Sequence, residues 1–299
     1  MLLRRQARKR LHSFIESLGF GYVFAAHHRR LMEELEAVES GETSKLMVFM
    51  PPGSAKSTYS SILFPPWFMG RNVASSVLGV SNTTELAERF SRRVRNIVAG
   101  PDYRRIFGFG VSEDSAAAGN WETEKGGEFF AAGMGAAIAG RRADLGLIDD
   151  PIKTRQEADS ERVRQTHWDW YLNDFLTRLK PGARQILIQT RWHEDDLGGR
   201  ILEREKKQWR VVNIPMLARD NDQLGRKSGE RLWPEWFTEE MIATAKLDTR
   251  SWNALYQQDP VPDEGDYFKR DNFSEYDQLP SALRIYAASD FAVTEGAGD

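Results

Sequence analysis

With 299 residues, 40% hydrophobic and 28% charged, the chain has the composition of a globular protein with room for a full core and a second module. The absence of cysteine excludes disulfides, thiolate metal sites and cysteine nucleophiles, and fits a reducing cytoplasm. A net charge of −3 excludes a globally basic nucleic-acid coat, so any such contact has to come from local patches; no stretch approaches a membrane span.

The N-terminus carries Arg4, Arg5, Arg8, Lys9 and Arg10 with no apolar run behind them, so it is not a secretory signal. It reads as a solvated helix face, with a DNA-contacting arm as the alternative. Phe24 to Val38 sets Leu31, Leu35 and Val38 at helical spacing. His27 and His28, near its start, are expected on the helix surface, with an adenine-facing role as the second reading. No third ligand close in sequence would make them a metal site.

Lys45 to Thr58, KLMVFMPPGSAKST, is a buried strand running through a tight turn into a lysine and two hydroxyls. Such a turn aims backbone N–H groups and the positive end of the next helix at one point, where a polyphosphate can sit. Pro52, Gly53, Ser54, Ala55, Lys56, Ser57 and Thr58 would form the loop. Lys56 would act as a point charge on the β/γ-phosphates, and Ser57 as a ligand of a phosphate-bound Mg²⁺. The pattern G-x-x-x-x-G-K-[ST] asks for glycine where Met50 and Ala55 stand, and an alanine forced to positive φ costs roughly 1–2 kcal/mol. Taken alone, the segment is equally an ordinary strand-to-helix turn.

Beyond the loop, a short helix is expected over 57–64, stopped by Pro65 and Pro66, then a strand over 73–80. Asn82 or Thr83 should cap a helix with Leu86, Phe90, Val94, Ile97 and Val98 as its apolar stripe; Arg89, Arg92, Arg93 and Arg95 are solvated or, on the second reading, touch DNA. A glycine-rich stretch comes next, with a strand over 128–132. Within Gly140 to Pro151 an apolar strand ends in the pair Asp149-Asp150, suited to orienting Mg²⁺ and polarising an attacking water beside a phosphate loop, or else a solubility feature of a loop. A helix is expected over 156–179, ended by Pro181-Gly182, and then a strand over 184–190 that brings Thr190 to the ligand-binding edge of a parallel sheet. His193, Glu194, Asp195 and Asp196 fit the first turn of a helix better than a metal site. Trp233, Trp236 and Trp252 read as the core of a small subdomain, with base-stacking surfaces as the second reading. Gln258 to Gly265 has the proline content of a boundary, and a strand beginning near Leu283 ends at Asp290.

Four segments in this order, LMVFMPPGSAKST, GRRADLGLIDDPIK, QILIQTRWHEDDLGGRI and WNALYQQDPVPDEGDYF leading to IYAASDFAVTEGAGD, resemble the large subunit of the tailed-phage terminase. The resemblance implies an α/β fold: a P-loop NTPase with a mostly parallel central sheet flanked by helices over 1–215, a lid or linker over 216–280, and over 281–299 the first strand of a ribonuclease H-like domain. It implies ATP hydrolysis driving double-stranded DNA into a procapsid, with Lys56 and Ser57 in the Walker A role, Asp149 as the Walker B acid, Asp150 as the catalytic carboxylate and Thr190 in the coupling motif. ATP and Mg²⁺ are the implied cofactors, with Mg²⁺ or Mn²⁺ for the relatives' nuclease, where Asp290 would be a metal ligand; the nuclease is expected to be incomplete in this sequence. A portal protein, a small subunit and further copies of the chain are the implied partners, in a phage or prophage host's cytoplasm and with no membrane. Many relatives carry arginine where Gly53 stands, so Arg141 becomes a candidate finger acting in trans, against the reading of Arg141 and Arg142 as a solvated pair or partners of Asp144. A helicase-like DNA-remodelling ATPase and a non-catalytic prophage remnant are the alternatives.

Overall fold

The computed structural model describes residues 2–138 and 140–261, so the strand expected near Leu283 and its Asp290 lie outside the described residues. Helices α1 (Leu2–Lys9), α2 (Leu11–Ser17) and α3 (Ala26–Ser40) open the chain. Ala7, Leu11 and Phe14 are buried, while Arg4, Arg5, Arg8, Lys9 and Arg10 form the expected exposed face. Arg4 and Arg8 both donate to the Ile106 carbonyl, and Arg10 pairs with Glu36 at 2.8 Å.

Strand β1 (Lys45–Phe49) leads through the loop into a helix that does not stop at the prolines. Residues Thr58–Leu63 form a π-helical turn that runs on into α4 (Phe64–Arg71), which carries Pro65 and Pro66 in its first turn. A proline inside an α-helix lacks a donor and crowds the carbonyl four residues back. The wider π turn, in which the Phe64 N–H bonds to the Tyr59 carbonyl, accommodates both rings.

Strand β2 (Ser76–Ser81) precedes α5 (Thr84–Ala99), capped by the Thr83 hydroxyl, and α6 (Pro101–Phe107). The buried face of α5 is Ala87, Ser91, Val94 and Val98, with Leu86 and Phe90 only half-buried; the Trp121 indole N–H donates to Ser91 Oγ on that buried face at 3.0 Å. Two strands with no apolar run to betray them come next, β3 (Val111–Ala116) before the glycine-rich stretch and β4 (Asn120–Thr123) within it, followed by β5 (Glu128–Gly133) and β6 (Ala143–Asp149).

The expected long helix is broken. Ser160 is extended (φ −77, ψ 107) and caps α8 (Glu161–Trp170) after the short α7 (Arg155–Asp159). Strand β7 (Leu179–Gln189) starts earlier than expected and takes Pro181-Gly182 into an irregularity, where Ala143 faces Leu179 but Leu145 faces Arg184. A bulge is one of the few places a sheet tolerates proline. Helix α9 (Leu197–Glu205), strand β8 (Arg210–Asn213) and α10 (Glu239–Ala245) come after it.

The strand order is β3-β4-β5-β2-β6-β7-β1-β8, with β5 through β8 parallel and β3 and β4 antiparallel at one edge. Both faces are covered, which is why the inner strands read as unbroken apolar runs. Alternation sorts them: Leu46, Val48, Leu145, Leu147, Ile186 and Ile188 join the core under α1–α6, while Met47, Phe49, Ile148 and Leu187 join the core under α8 and α9. Met216, Leu232, Phe237 and Trp252 belong to the first of these cores. Trp236 is exposed, so the tryptophans of this segment divide between interior and surface.

Candidate active site

Three neighbouring parallel strands, β6, β7 and β1, end side by side, and each delivers polar groups at its carboxyl end. After β1 the chain turns at Gly53 (φ 78), where an added Cβ would meet the Phe237 ring at 3.4 Å. Ala55 is held at φ 61, in the left-handed region that costs a non-glycine residue roughly 1–2 kcal/mol. Lys56 then starts the helix, and its Nζ donates to Thr190 Oγ1 at 2.8 Å and pairs with the Asp150 carboxylate at 3.0 Å. Thr190 closes the circuit, its backbone N–H donating to the same carboxylate at 2.6 Å. Asp150 is itself left-handed, at φ 43.

One step deeper, Asp149 accepts from Ser57 Oγ at 2.9 Å and, on its other oxygen, from Ser61 Oγ. Ser57 and Ser61 reach one carboxylate because they stand one helical turn apart. Asp149 is buried, and burial, with the charge of Asp150 second, pushes its carboxyl up to about 7; the two hydroxyls and Lys56 pull the other way.

Pro52, Gly53, Ala55, Lys56, Ser57, Thr58, Asp150 and Thr190 line one open cleft of about 430 Å³. Asn82, Lys153 and Trp192, which sequence reasoning passed over, line it too. Ser54 is turned inward and buried. Arg141 is elsewhere: its guanidinium donates to Asn120 Oδ1 at 2.8 Å and lies 5.2 Å from the Phe130 ring centre. Asp144 is paired with Lys180, at 2.8 Å, and Arg142 donates to the Thr177 carbonyl. Asp290 lies outside the described residues.

An Mg²⁺ ion bound together with phosphate asks for few protein ligands, all of them hard oxygens. The Ser57 hydroxyl beside the Asp149 carboxylate, at the foot of the cleft, is a donor set of that kind. The acidic run after β7 is otherwise employed. Asp196 caps α9 by accepting from the Gly199 N–H and pairs with Arg191, while Asp195 bridges Arg164 and Arg200.

His27 and His28 are not on the helix surface. Both are buried, and both reach the Ser54 carbonyl of the loop. Burial depresses them to about 3 and about 4 respectively; His28 and Arg226 add to the effect on His27, while the Ser54 contact opposes it in both. The native state therefore keeps both rings neutral where an unfolded chain would protonate them, below about pH 6.5. Stability from this source is present above that pH and is lost as pH falls toward the folded values, at up to about 1.4 kcal/mol per pH unit per histidine. Chemical denaturation between pH 7 and 5 should show a shallower decline in His27→Gln than in the parent; identical slopes would place the histidines outside the acid response.

Sequence comparison matches residues 47–275 to the family described as "Terminase large subunit, T4likevirus-type, N-terminal". No curated protein sequence matches the chain. Among solved structures, a substituted ATPase domain of the large terminase of Thermus phage P74-26 aligns at 13% identity over 83% of this chain and 98% of its own, with a TM-score of 0.50. The large terminase of bacteriophage HK97 aligns at 11% identity over 76% of this chain and 50% of its own, with a TM-score of 0.46.

Proposed function

As the chain belongs to the terminase large-subunit family, we propose that it is the ATP-hydrolysing motor of a phage DNA-packaging machine. The observation that carries this reading is the convergence of Lys56, Ser57, Asp149, Asp150 and Thr190 at the ends of three adjacent parallel strands.

In this reading Lys56 takes a phosphate oxygen in exchange for the Asp150 carboxylate. That exchange releases Asp150 to accept a hydrogen bond from, and so align, the water that attacks the γ-phosphate. Ser57 and Asp149 would hold Mg²⁺, which when bound neutralises charge on the β- and γ-phosphates. Thr190, bonded to Lys56 through its hydroxyl and to Asp150 through its N–H, would sense the loss of the γ-phosphate through those two bonds. The partners proposed are double-stranded DNA, a portal protein, a small subunit and further copies of this chain, in the cytoplasm of the bacterial host.

Mg²⁺-dependent ATP turnover measured with and without linear duplex DNA tests the reading. Turnover that responds to DNA supports a packaging motor, and none under any condition supports a non-catalytic remnant.

Arg141 is proposed as a finger acting on the neighbouring subunit, since no arginine lines the cleft among the described residues. An arginine supplied at the transition state is worth roughly 10³–10⁵ in rate. Mixing inactive Arg141→Ala with inactive Asp150→Asn subunits should restore partial turnover, because some interfaces pair an intact finger with an intact site. Full activity of Arg141→Ala alone would remove the finger, and so would co-assembly without recovery.

A further inference from the structure

Beneath the phosphate loop two imidazoles converge on one backbone oxygen. The Nε2 atoms of His27 and His28 lie 3.1 and 3.2 Å from the Ser54 carbonyl, and neither ring is exposed to solvent. The proton on His28 can be assigned from its other nitrogen, because Nδ1 accepts the Ala25 N–H at 3.1 Å, so a neutral ring carries its hydrogen on Nε2 and donates to Ser54. A carbonyl offers two lone pairs, so His27 can donate to the same oxygen. His27 Nδ1 is buried and has no hydrogen-bond partner, which leaves the Ser54 contact as the ring's polar anchor.

The rings themselves are fixed. They lie 3.9 Å apart, His28 stacks on Tyr59 at 4.5 Å, and Trp233 meets His28 edge-on at 4.8 Å. Phe237 and Trp236 back the loop at Gly53.

A trans peptide unit is planar, with its C=O and N–H pointing in opposite directions. With the Ser54 oxygen held toward the histidines, the Ala55 N–H is turned the other way, and Ala55 itself lines the cleft. Rotating this one peptide would bring φ of Ala55 back to the negative range an alanine prefers. It would also put a carbonyl, rather than a donor, toward a phosphate. The observed φ of 61 is the less favourable choice for alanine, so something outside the loop has to select it.

We infer that His27 and His28 are positioning residues, a paired N–H clamp that holds the Ser54–Ala55 peptide with its donor facing the phosphate site. In a loop with glycine at position 55 the same peptide orientation would cost little, and the clamp would be dispensable. This rests on the nucleotide-binding reading of the cleft.

The test is equilibrium binding of a fluorescent ATP analogue to the full chain, with hydrogen–deuterium exchange of the loop measured without nucleotide. His27→Leu/His28→Leu should bind at least about tenfold more weakly and exchange faster across the loop. Adding Ala55→Gly, which touches neither ring, should recover about tenfold, since glycine removes the 1–2 kcal/mol penalty. His27→Gln, which keeps a donor at the Nε2 position, should stay close to the parent. His28 also caps α3, so if the double variant fails to fold, His27→Leu alone is read against the same Ala55→Gly rescue. Parental affinity in the leucine variants overturns the clamp, as does a loss that Ala55→Gly does not relieve. If Lys56→Ala binds the analogue as tightly as the parent, the nucleotide reading itself falls. Loop exchange then decides whether the clamp exists: faster in His27→Leu upholds it, and unchanged removes it.

Discussion

Lys56→Ala should lower ATP turnover by at least about 10²–10³-fold, the scale set by removing one preorganised charge-stabilising donor from a catalytic site. The argument begins with burial: Lys56 is only 5% exposed, and its ammonium is shared between the Asp150 carboxylate and the Thr190 hydroxyl. Lys153 is the other cation lining the cleft among the described residues; it lies on the loop after β6, half exposed and within 3.5 Å of Glu157. Truncation also leaves Asp150 facing buried Asp149 without its cation, at a cost of about 1–3 kcal/mol. A fall in Tm should therefore accompany the loss of turnover. Arginine should not rescue, because its planar fork is larger than the point charge this position encloses. Unchanged hydrolysis in the purified variant would remove the loop from the chemistry.

Asp150→Asn should separate binding from chemistry. The group that positions or deprotonates a nucleophile contributes typically about 10²–10⁴-fold, so hydrolysis should fall by that amount. Affinity should hold or rise. In the protein as it stands, Asp150 occupies Lys56 at 3.0 Å, and a phosphate must displace it; the neutral amide competes less well for the ammonium. Ser57 and Asp149 keep their own bond at 2.9 Å and do not depend on Asp150. A variant with parental turnover would exclude Asp150 as the water-aligning group, and one that no longer binds the nucleotide would show it to be structural.

The parts of this site that the sequence announces are those written into strand ends. Leu46 to Phe49, Leu145 to Ile148 and Ile186 to Ile188 are apolar runs long enough to identify buried strands. Lys56, Asp149-Asp150 and Thr190, standing beyond the ends of these runs, are then placed by topology alone. The histidines were legible in principle. His27 stands four residues before Leu31 and eight before Leu35, so it shares their buried face, and only the habit of placing paired histidines at a helix surface hides this. The helix through Pro65 was not legible, because a π turn is a choice of hydrogen-bond partner that no side-chain pattern encodes. The hairpin of β3 and β4 was equally hidden, since VSEDSA and NWET are too polar for an apolar-run criterion. The break at Ser160 had a signal, serine followed by glutamate, that the continuing amphipathic pattern overrode.

The residue next to Thr190 in the chain gives the site a mechanical connection. The backbone N–H of Arg191 donates to Gln258 Oε1 at 3.1 Å, and Gln258 is buried, with its own backbone at φ 54. The turn after β7 and the segment around Gln258 are thus tied by a single side chain, at the edge of the sheet where the lysine and the acids meet. A shift of Thr190 by a fraction of an ångström does not have to cross either core to be felt at position 258. The linkage is one side chain long, and its stiffness is that of an enclosed glutamine held at positive φ rather than of a loop. Shortening Gln258 to asparagine would put slack into that linkage while leaving Lys56, Asp149 and Asp150 untouched.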